Sequence, residues 1–343
     1  MRWMAMAMTA GAGVLMLSAC GADERVAVHA VGSSTVYPFA MAIAEALAKS
    51  DPDLPRALIE STGTSEGIER FCAGVGTDTP DIVNASRRMT KAEFAECRAN
   101  GVDEIIELKV GLDGIVFAAA RDGLSMPLTS KIVYEALAAQ PYGDAQNAAE
   151  WSSVDGSLPD QPIRIYGPPA SSGTRDSLQD LVMMKGCVSE PAMSGLEATE
   201  PEKFAAVCGD LRADGAYIAQ GEEDALTVDK VAGDKQALAV FDYSYFEENA
   251  DKVKALPIDG IEASYETIAS GRYPATQQLF VYVKAAHLET VPTLRAYLDQ
   301  WAASWGKDGP LTAIGLVAAS DRMLARNSEA IAGLTAMTEL GLQ

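Results

Sequence analysis

The chain has 343 residues, of which 48% are hydrophobic and 22% charged, and its formal net charge is −21. This length and apolar content exclude a disordered chain and allow about two domains of ordinary size. The strong negative charge repels nucleic acid and anionic lipid, which argues against a role in binding DNA or RNA.

The first twenty residues have the features of a secretory signal. Arg2 is their only charge, an apolar run follows, and the segment ends in Leu17-Ser18-Ala19-Cys20. A Cys directly after Leu-Ser-Ala resembles the bacterial lipobox, in which that Cys is lipid-modified and becomes the mature N-terminus. We therefore expect residues 1–19 to be a signal peptide of the lipoprotein type, Cys20 to be the lipidation site, and residues 20–25 to be a tether. An ordinary signal peptide with an unmodified Cys is the alternative.

Strands and helices alternate through the first third of the remaining chain. Alternating or apolar runs predict strands over Val26–Val31, Ala57–Glu60, Asp81–Val83, Ile105–Val110 and Gly114–Ala119. Amphipathic runs predict helices over Pro38–Ala48, Glu66–Cys72 and Lys91–Arg98. This order of elements is typical of an α/β fold.

The later part of the chain continues the alternation. Strands are predicted over Ile163–Tyr166, Ala237–Phe241, Lys252–Leu256 and Leu279–Val283. Helices are predicted after residue 175 and over Thr129–Ala139, Phe204–Leu211, Tyr243–Ala250 and Ala263–Ser270, and the tail from His287 to Leu342 is mostly helical. The segment 140–161 has the composition of a loop. We expect an α/β fold with mixed sheets.

Four strand-to-helix junctions carry hydroxyl side chains where the helix would begin. They contain Ser34 and Thr35, Thr64 and Ser65, Ser86, and Ser172 and Thr174, and two of them add Arg87 and Arg175. The unpaired N–H groups of a first helical turn attract anions, and a guanidinium group matches tetrahedral oxyanions. One such turn by itself is better interpreted as a helix cap. Four of them indicate helix N-termini that converge on a small polar ligand, outside the carboxyl ends of the strands.

Four cysteines follow the N-terminal segment, and an even number in an exported chain favours disulfides. Three pairings are possible from the sequence alone, and four buried thiols are the alternative. We prefer Cys72–Cys97 with Cys187–Cys208, because each bond closes a modest local loop. The chain has no CxxC pair and only two histidines, so we expect no metal site and no cofactor.

These motifs together resemble the periplasmic phosphate-binding protein of bacterial phosphate ABC transporters, within the type II solute-binding family. Gly32-Ser33-Ser34-Thr35-Val36-Tyr37-Pro38 resembles the first phosphate loop of that family, and Gly63-Thr64-Ser65-Glu66-Gly67 is similar to its second. Asn84-Ala85-Ser86-Arg87 is similar to the third loop, and Ser171-Ser172-Gly173-Thr174 resembles the Ser-Gly-Thr loop. The segment Asp214–Tyr217 with Gly221-Glu222 also looks like a family segment, without a ligand role. The resemblance covers about residues 26–285.

The resemblance implies two lobes that are joined by two crossover hinge strands and close over phosphate. Lobe 1 would contain residues 26–115 and 250–343, and lobe 2 residues 116–249. The resemblance matches the ligand groups of the family to Thr35 with the backbone of Val36, to Thr64 or Ser65, and to Ser172, Gly173 and Thr174. The junctions add further candidate ligand groups, which are Ser34, Ser86, Arg87, Ser171 and Arg175. The implied partners are inorganic phosphate and a membrane permease, and we expect a monomeric, membrane-tethered lipoprotein in the periplasm.

The chain departs from the family pattern at two positions. Many members carry an acidic residue, which accepts a proton from phosphate, where this chain has Arg87. Many also carry an Arg where this chain has Pro168, so that Arg175 would supply the positive charge. Asp113 or Asp176 could replace the missing acceptor, although each is better interpreted as a cap or a surface charge. Sulfate and arsenate therefore remain alternative ligands.

Two other classes of function compete with oxyanion transport. Ser172 in a tight turn invites comparison with a nucleophile elbow, but the GxSxG pattern is absent. The only histidine bases are His29 and His287, and both are better interpreted as structural. We therefore expect no catalytic residues, with a hydrolase or phosphatase as the less favoured class. A sensory or adhesive lipoprotein that kept the fold without transport is the other alternative.

Overall fold

The computed structural model describes residues 27–170, 172–221 and 224–342. The expected signal peptide and tether, Cys20 and Ser171 lie outside these residues. No helix within the described ranges combines the length and the apolar character that a membrane span requires.

Ten strands form one mixed sheet that curls through the molecule. The strands are β1 (His29–Gly32), β2 (Leu58–Ser61), β3 (Ile82–Ala85), β4 (Ile105–Ala120), β5 (Ile165–Gly167), β6 (Tyr217–Ala219), β7 (Leu238–Asp242), β8 (Val253–Leu256), β9 (Thr276–Lys284) and β10 (Val317–Ala318). Their order is β2-β1-β3-β9-β4-β7-β5-β6, with β8 and β10 also paired to β4. The predicted mixed α/β architecture is confirmed.

Helices cover both faces of the sheet. They are α1 (Tyr37–Ser50), α2 (Thr64–Phe71), α3 (Lys91–Ala99), α4 (Ser130–Leu137), α5 (Trp151–Val154), α6 (Gly173–Ser177), α7 (Met184–Cys187), α8 (Pro191–Thr199), α9 (Pro201–Gly209), α10 (Asp224–Ala232), α11 (Tyr243–Glu248), α12 (Tyr265–Ala269), α13 (His287–Thr290), α14 (Pro292–Ser304) and α15 (Asp321–Gly333). Two 3₁₀ turns, Pro141–Gly143 and Thr312–Ile314, and a π-helical stretch, Leu178–Met183, complete the list. Strands covered on both faces are apolar at nearly every position, as β1 and β3 are.

The long strand β4 connects the two halves of the molecule. Its first half pairs with β9, from Ile105 opposite Lys284 to Gly114 opposite Thr276. Its second half pairs with β7 and β8. The two strands predicted here, 105–110 and 114–119, are therefore one. The polar and glycine residues between these two runs do not interrupt the strand. Gly111 lets β10 approach closely, because a Cβ at position 111 would lie 2.9 Å from the Val317 carbonyl oxygen.

Three hydrophobic cores lie on the two sides of this crossing. The larger core packs the second half of β4 with β5, β7, α4 and α10. Two smaller cores lie on opposite faces of β1: Ala30 belongs to one and Val31 to the other, as the alternation of a strand requires. The chain enters the larger core along β4 and leaves it near Ala275, whose carbonyl accepts from the Ile115 N–H. β4 and the segment leading into β9 are the two crossover strands.

One boundary of the expected lobes differs from this packing. The sequence predicts that residues from 250 onward belong to lobe 1. In the structure, β8 pairs with Phe117–Ala120, and the larger core includes Ile268, Tyr273 and Ala275. The return to the other side therefore occurs near residue 275, because the apolar faces of β8 and α12 are buried against the second half of β4. The division into lobes otherwise stays a prediction.

The two preferred disulfides, Cys72–Cys97 and Cys187–Cys208, are both present. The first joins the end of α2 to α3, and the second joins the end of α7 to α9. The helix predicted after residue 175 contains the π-helical stretch, in which Leu178 and Val182 are buried. This stretch begins one turn after the Ser172–Thr174 loop.

Candidate functional site

Hydroxyl groups from four separate loops lie in contact at the crossing of the two halves. Thr35 Oγ1 is 3.0 Å from Thr174 Oγ1, and Thr64 Oγ1 is 3.1 Å from Ser86 Oγ. All four residues are at most 1% exposed. Thr35 follows β1, Thr64 begins α2, Ser86 follows β3, and Thr174 lies in α6. The structure thus brings together residues from all four junctions, and their role as ligand groups stays a prediction.

Gly173 fits tightly between the second and third loops. A Cβ at this position would lie 2.0 Å from Ser86 Oγ and 2.4 Å from Thr64 Oγ1. No side chain can occupy that space without moving the loops apart. Glycine at this position therefore permits the α6 loop to touch the loops that follow β2 and β3.

Three of the four junctions present a helix N-terminus, and the third junction does not. The first turns of α1 and α2 have no capping side chain, which leaves N–H groups available to an anion. Ser172 caps α6 by accepting from the Thr174 N–H at 3.3 Å. By contrast, α3 begins only at Lys91, and Thr90 and Glu93 close its N-terminus with a capping box. The third loop therefore contributes the Ser86 hydroxyl rather than a helix end.

Arg87 is held by the carboxylates around it. Its guanidinium donates to both oxygens of Glu93 at 2.8 and 3.0 Å and to Asp176 Oδ2 at 3.4 Å. It also donates to the Ser65 hydroxyl at 3.0 Å, which in turn contacts Asp176 at 3.3 Å. These hydrogen bonds and ion pairs hold the pKa of the guanidinium above its usual range, against the opposing effect of burial. Arg87 and Ser65 thus link the third loop to α6, and their predicted ligand role stays a prediction.

Arg175 is less constrained by its neighbours than Arg87. Its guanidinium lies 4.5 Å from the centre of the Tyr217 ring and donates to the Pro168 carbonyl at 3.3 Å. The Tyr217 hydroxyl donates to the same carbonyl at 2.7 Å. Nε of Arg175 is buried without a hydrogen-bond partner among the described residues, and no carboxylate there lies within ion-pair distance of it. Among the described residues, Arg175 thus lacks the carboxylate partners that surround Arg87, and its role as a ligand group stays a prediction.

The remaining predicted positions lie in the first loop. Ser34 is 7% exposed and Val36 is fully buried. The Val36 N–H makes a long contact of 3.4 Å with Ser33 Oγ, and the Ser33 N–H donates to the Asn84 carbonyl at 2.9 Å. This bond ties the first loop to the end of β3, so that Thr35 and Ser86 reach the same place.

A pair of buried carboxyl groups lies directly behind the hydroxyls. Asp113 in β4 is opposite Gln277 in β9, and Asp242 at the end of β7 is opposite Ile115. Asp113 and Asp242 are therefore diagonal neighbours on one face of the sheet. The Gln277 amide donates to Asp113 Oδ2 at 3.1 Å and to Asp242 Oδ1 at 3.0 Å. Asp242 also accepts from the Thr174 hydroxyl at 3.1 Å.

Burial determines the protonation of this pair. Asp113 and Asp242 are at most 1% exposed. Burial is the largest cause that raises the pKa of Asp113, and the neighbouring Asp242 carboxylate raises it further. Burial also raises the pKa of Asp242, although hydrogen bonds from Thr35, Thr174 and Gln277 oppose the rise. The pair therefore resists full ionisation.

Two expectations about carboxylates are corrected here. Asp113 is neither a cap nor a surface charge, because it lies in the interior of the crossing strand, where the main-chain ladder runs on both sides. Asp176 is half-buried and accepts from Arg87 and Ser65. Burial raises the pKa of Asp176, and the charge of Arg87 partly offsets that rise.

Asp242, Gln277 and the support of Arg175 by Tyr217 were missed from the sequence. Asp242 ends a predicted buried strand, and the carboxyl end of a strand is where ligands bind in such sheets. That rule, applied to β7, would have selected Asp242. Nothing in the sequence around Gln277 distinguishes it from a surface residue.

Both histidines have structural partners. His29 Nε2 lies 2.5 Å from Glu60, and His287 Nδ1 lies 2.6 Å from the buried Asp81. Among the described residues, neither histidine is hydrogen-bonded to Ser172, and no group of three or more His, Cys, Asp or Glu side chains could hold a metal ion.

The fold and these converging loops define a two-lobed solute-binding protein of the type II fold. The chain belongs to the PBP superfamily, whose domain model matches residues 18–304. It is 30% identical over 292 residues to protein SphX of Synechococcus elongatus, covering 83% of this chain and 75% of that protein. It is 27% identical over 325 residues to the phosphate-binding protein PstS of Staphylococcus haemolyticus, covering 89% and 90%.

Solved structures agree with this assignment. The crystal structure of a possible phosphate binding protein from Planctomyces limnophilus superposes with a TM-score of 0.60 at 26% identity, covering 90% of this chain and 98% of that one. An ABC-type phosphate transport receptor from Vibrio cholerae superposes with a TM-score of 0.57 over 84% of this chain and 98% of that one. At 16% identity, the second likeness concerns the fold alone.

The buried carboxyl pair predicts a specific pH dependence of stability. The raised pKa of Asp113 means that the folded chain keeps a proton that the unfolded chain, with an ordinary pKa of about 3.9, has released. The contribution of Asp113 to the free energy of unfolding therefore falls as pH rises above about 4. Asp113→Asn removes this loss. The free energy of unfolding of the variant, measured relative to wild type, should therefore rise by about 1 kcal/mol or more from pH 4 to pH 8, since one unit of pKa difference is worth about 1.4 kcal/mol. Urea denaturation at pH 4, 6 and 8 measures it, and a constant difference between the two proteins would contradict it.

Proposed function

We propose that this protein binds inorganic phosphate between its two lobes and delivers it to the membrane permease of an ABC transporter. The observation that carries the proposal is the contact of Thr35, Thr64, Ser86 and Thr174, which come from four loops and both sides of the crossing. The relatives support this ligand, since those from Staphylococcus are phosphate-binding proteins by name. The neighbour from Vibrio cholerae is likewise named for phosphate transport.

The ligand would be held by groups that replace its hydration shell. Hydroxyl groups and the N–H groups at the starts of α1, α2 and α6 donate hydrogen bonds, and these donors are fixed before the anion arrives. In the structure the hydroxyls contact each other, so an anion must separate the loops slightly and take over those contacts. Because the loops belong to both sides of the crossover strands, such a ligand stabilises the closed arrangement of the lobes.

Arg175 would provide the opposite charge, and Arg87 would act mainly as a support. The carboxylates of Glu93 and Asp176 already neutralise Arg87, whereas Arg175 contacts a carbonyl and an aromatic ring. The chain as a whole carries a net charge of −21 and repels an anion at long range. The dipoles of the helix starts and hydroxyls, together with the Arg175 guanidinium, overcome that repulsion only at short range. This agrees with binding of the anion inside a cleft that closes around it.

The protein would work outside the cytoplasm as a lipid-anchored monomer. This part of the proposal is supported by the signal-like N-terminus with Leu17-Ser18-Ala19-Cys20 and by the two disulfides, which are typical of exported proteins. The anchor at Cys20 would keep the binding protein close to the permease in the periplasm. Labelling with a fatty acid, and its loss in Cys20→Ser, tests this anchor.

No catalytic step is part of this proposal. The superfamily binds substrates, and the two histidines are engaged by Glu60 and Asp81 rather than by Ser172. Turnover of p-nitrophenyl phosphate that disappeared in Ser172→Ala would contradict this view.

Titration calorimetry with phosphate, arsenate and sulfate from pH 5 to 8 tests the ligand directly. The expected result is one phosphate per chain, with sulfate unable to compete. Equal binding of sulfate would identify a general oxyanion-binding protein. Absence of heat with all three anions would overturn the proposed function and leave a sensory or adhesive role.

Gly173→Ala should weaken phosphate binding. The new methyl group would press against Ser86 and Thr64 on the opposite side of the site and hold the loops apart, while Ala favours the helix that Gly173 begins. Overpacking of this kind costs about 1–3 kcal/mol, so we expect a loss of affinity of about tenfold or more. Gly195→Ala, in the exposed helix α8 with no atom near its Cβ, is the control. Equal affinities by calorimetry would place Gly173 outside the closing contact.

Arg175→Ala should weaken phosphate binding more than Arg87→Ala does. A hydrogen bond to a charged group contributes about 1.5–3 kcal/mol, so we expect a loss of about 10- to 100-fold for Arg175. The loss should be smaller for Arg87, because Glu93 and Asp176 already neutralise its charge. Calorimetric affinities of the two variants compare these effects. The reverse order would assign the ligand charge to Arg87.

A further inference from the structure

The buried pair Asp113–Asp242 is not accounted for by phosphate binding as described so far. The two carboxyls are diagonal neighbours on one face of the sheet, and one amide group, from Gln277, bridges them. Asp113 Oδ1 receives no hydrogen bond from any N–H or hydroxyl among the described residues. A proton on the pair itself would satisfy that oxygen.

Within the part of the chain that the structure describes, no cation compensates the pair. Among residues 27–170, 172–221 and 224–342, no Lys, Arg or His lies within ion-pair distance of either carboxyl. The titratable groups that face the pair are the two carboxyls themselves and Tyr273, whose hydroxyl donates to the Ile115 carbonyl at 2.8 Å. The other neighbours, Gln277, Thr35 and Thr174, are neutral. Two adjacent buried carboxylates without a cation do not both ionise, so the pair holds one proton and one negative charge.

This negative charge is connected to the candidate ligand groups through hydroxyls. The Thr174 hydroxyl donates to Asp242, and Thr35 is hydrogen-bonded to the same carboxylate. A hydroxyl has one hydrogen to donate. While Asp242 is ionised, the hydrogen of Thr174 is directed to the carboxylate and is not available to an anion on the other side.

We propose that Asp242 takes up one proton from solvent when an oxyanion binds, and that this proton reverses the hydrogen bond to Thr174. The protonated carboxyl then donates to the Thr174 oxygen, and the hydrogen of Thr174 turns to the ligand. No covalent bond other than the O–H bond of the carboxyl is formed, and the pair becomes neutral. This inference rests on the proposed function of the same site.

Electrostatics and access favour this coupling. An anion next to Thr35 and Thr174 would lie one hydroxyl away from a buried negative charge, and neutralising the pair removes that repulsion. An open groove of about 480 Å³, lined in part by Ser86, Ser177, Thr276 and Gln277, reaches the residue that bridges the carboxyls.

The test is the number of protons taken up per phosphate bound. Calorimetric titrations at pH 8 in two buffers of different ionisation enthalpy give this number for the purified protein carrying Cys20→Ser, which prevents lipid attachment. We expect that protein to take up about one proton more than the same protein with Asp242→Asn, because the amide cannot accept one. Proton exchange by phosphate itself is common to both. Asp180→Asn removes an exposed carboxyl beside the same groove and should leave the number unchanged.

The outcomes separate this inference from the proposed function. Equal proton numbers with and without Asp242→Asn, while both proteins bind phosphate, would overturn the inference and leave phosphate binding intact. Absence of phosphate binding by the protein with Asp242 in place would overturn both. If Asp242→Asn does not fold, infrared difference spectra decide. Phosphate should produce a protonated-carboxyl band that shifts on labelling with ¹³C-aspartate, and the absence of that band would overturn the inference.

Discussion

The continuity of β4 is the constraint on which the rest of the structure depends. One strand carries its hydrogen-bond ladder from Ile105 to Ala120 and joins β9 on one side of the crossing to β7 and β8 on the other. Every loop of the candidate site follows a strand that is connected to β4 through one to three neighbouring strands of the sheet. The ends of β1, β3 and β5 therefore meet above the crossing, although they are far apart along the chain. A small displacement at the crossing changes all the hydroxyl contacts together.

The site combines polar groups in a way that suits an anion in an acidic protein. Its inner surface is made of hydroxyls and helix starts, which carry no net charge and do not need counter-ions. The arginine nearest the third loop is neutralised by Glu93 and Asp176, while Arg175 rests on Tyr217 and keeps its charge available. Dipoles of this kind act over a few ångströms. The site therefore distinguishes one anion from another only after the anion has entered and its water has left. The long-range field of the chain contributes nothing to capture.

The buried carboxyl pair changes how the absence of an acidic residue in the third loop is understood. Arg87 stands where the resemblance described above leads us to expect a proton acceptor, and the structure places a buried carboxyl pair against the Thr174 hydroxyl. Burial of a shared charge lowers folding stability. Proteins retain such a buried charge where it has a function. Here Gln277 bridges the pair at the crossing, and Asp242 accepts from Thr174, whose hydroxyl also contacts Thr35 of the first loop. Ligand, proton and closure would then depend on one another.

The sequence by itself determined the mixed α/β fold, the order of most elements and the loops that carry the hydroxyls, and it favoured the two disulfides without excluding the other pairings. These follow from local periodicity, from small residues at strand ends and from loop length, all of which are properties of neighbouring residues. Only the tertiary structure decided that residues 105–120 form one strand, that Asp113 is buried, and that Asp242 and Gln277 complete its surroundings. The physical reason is that burial and pKa depend on which strands lie side by side. Gln277 follows Asp113 by 164 positions and Asp242 by 35, and no local pattern encodes those contacts.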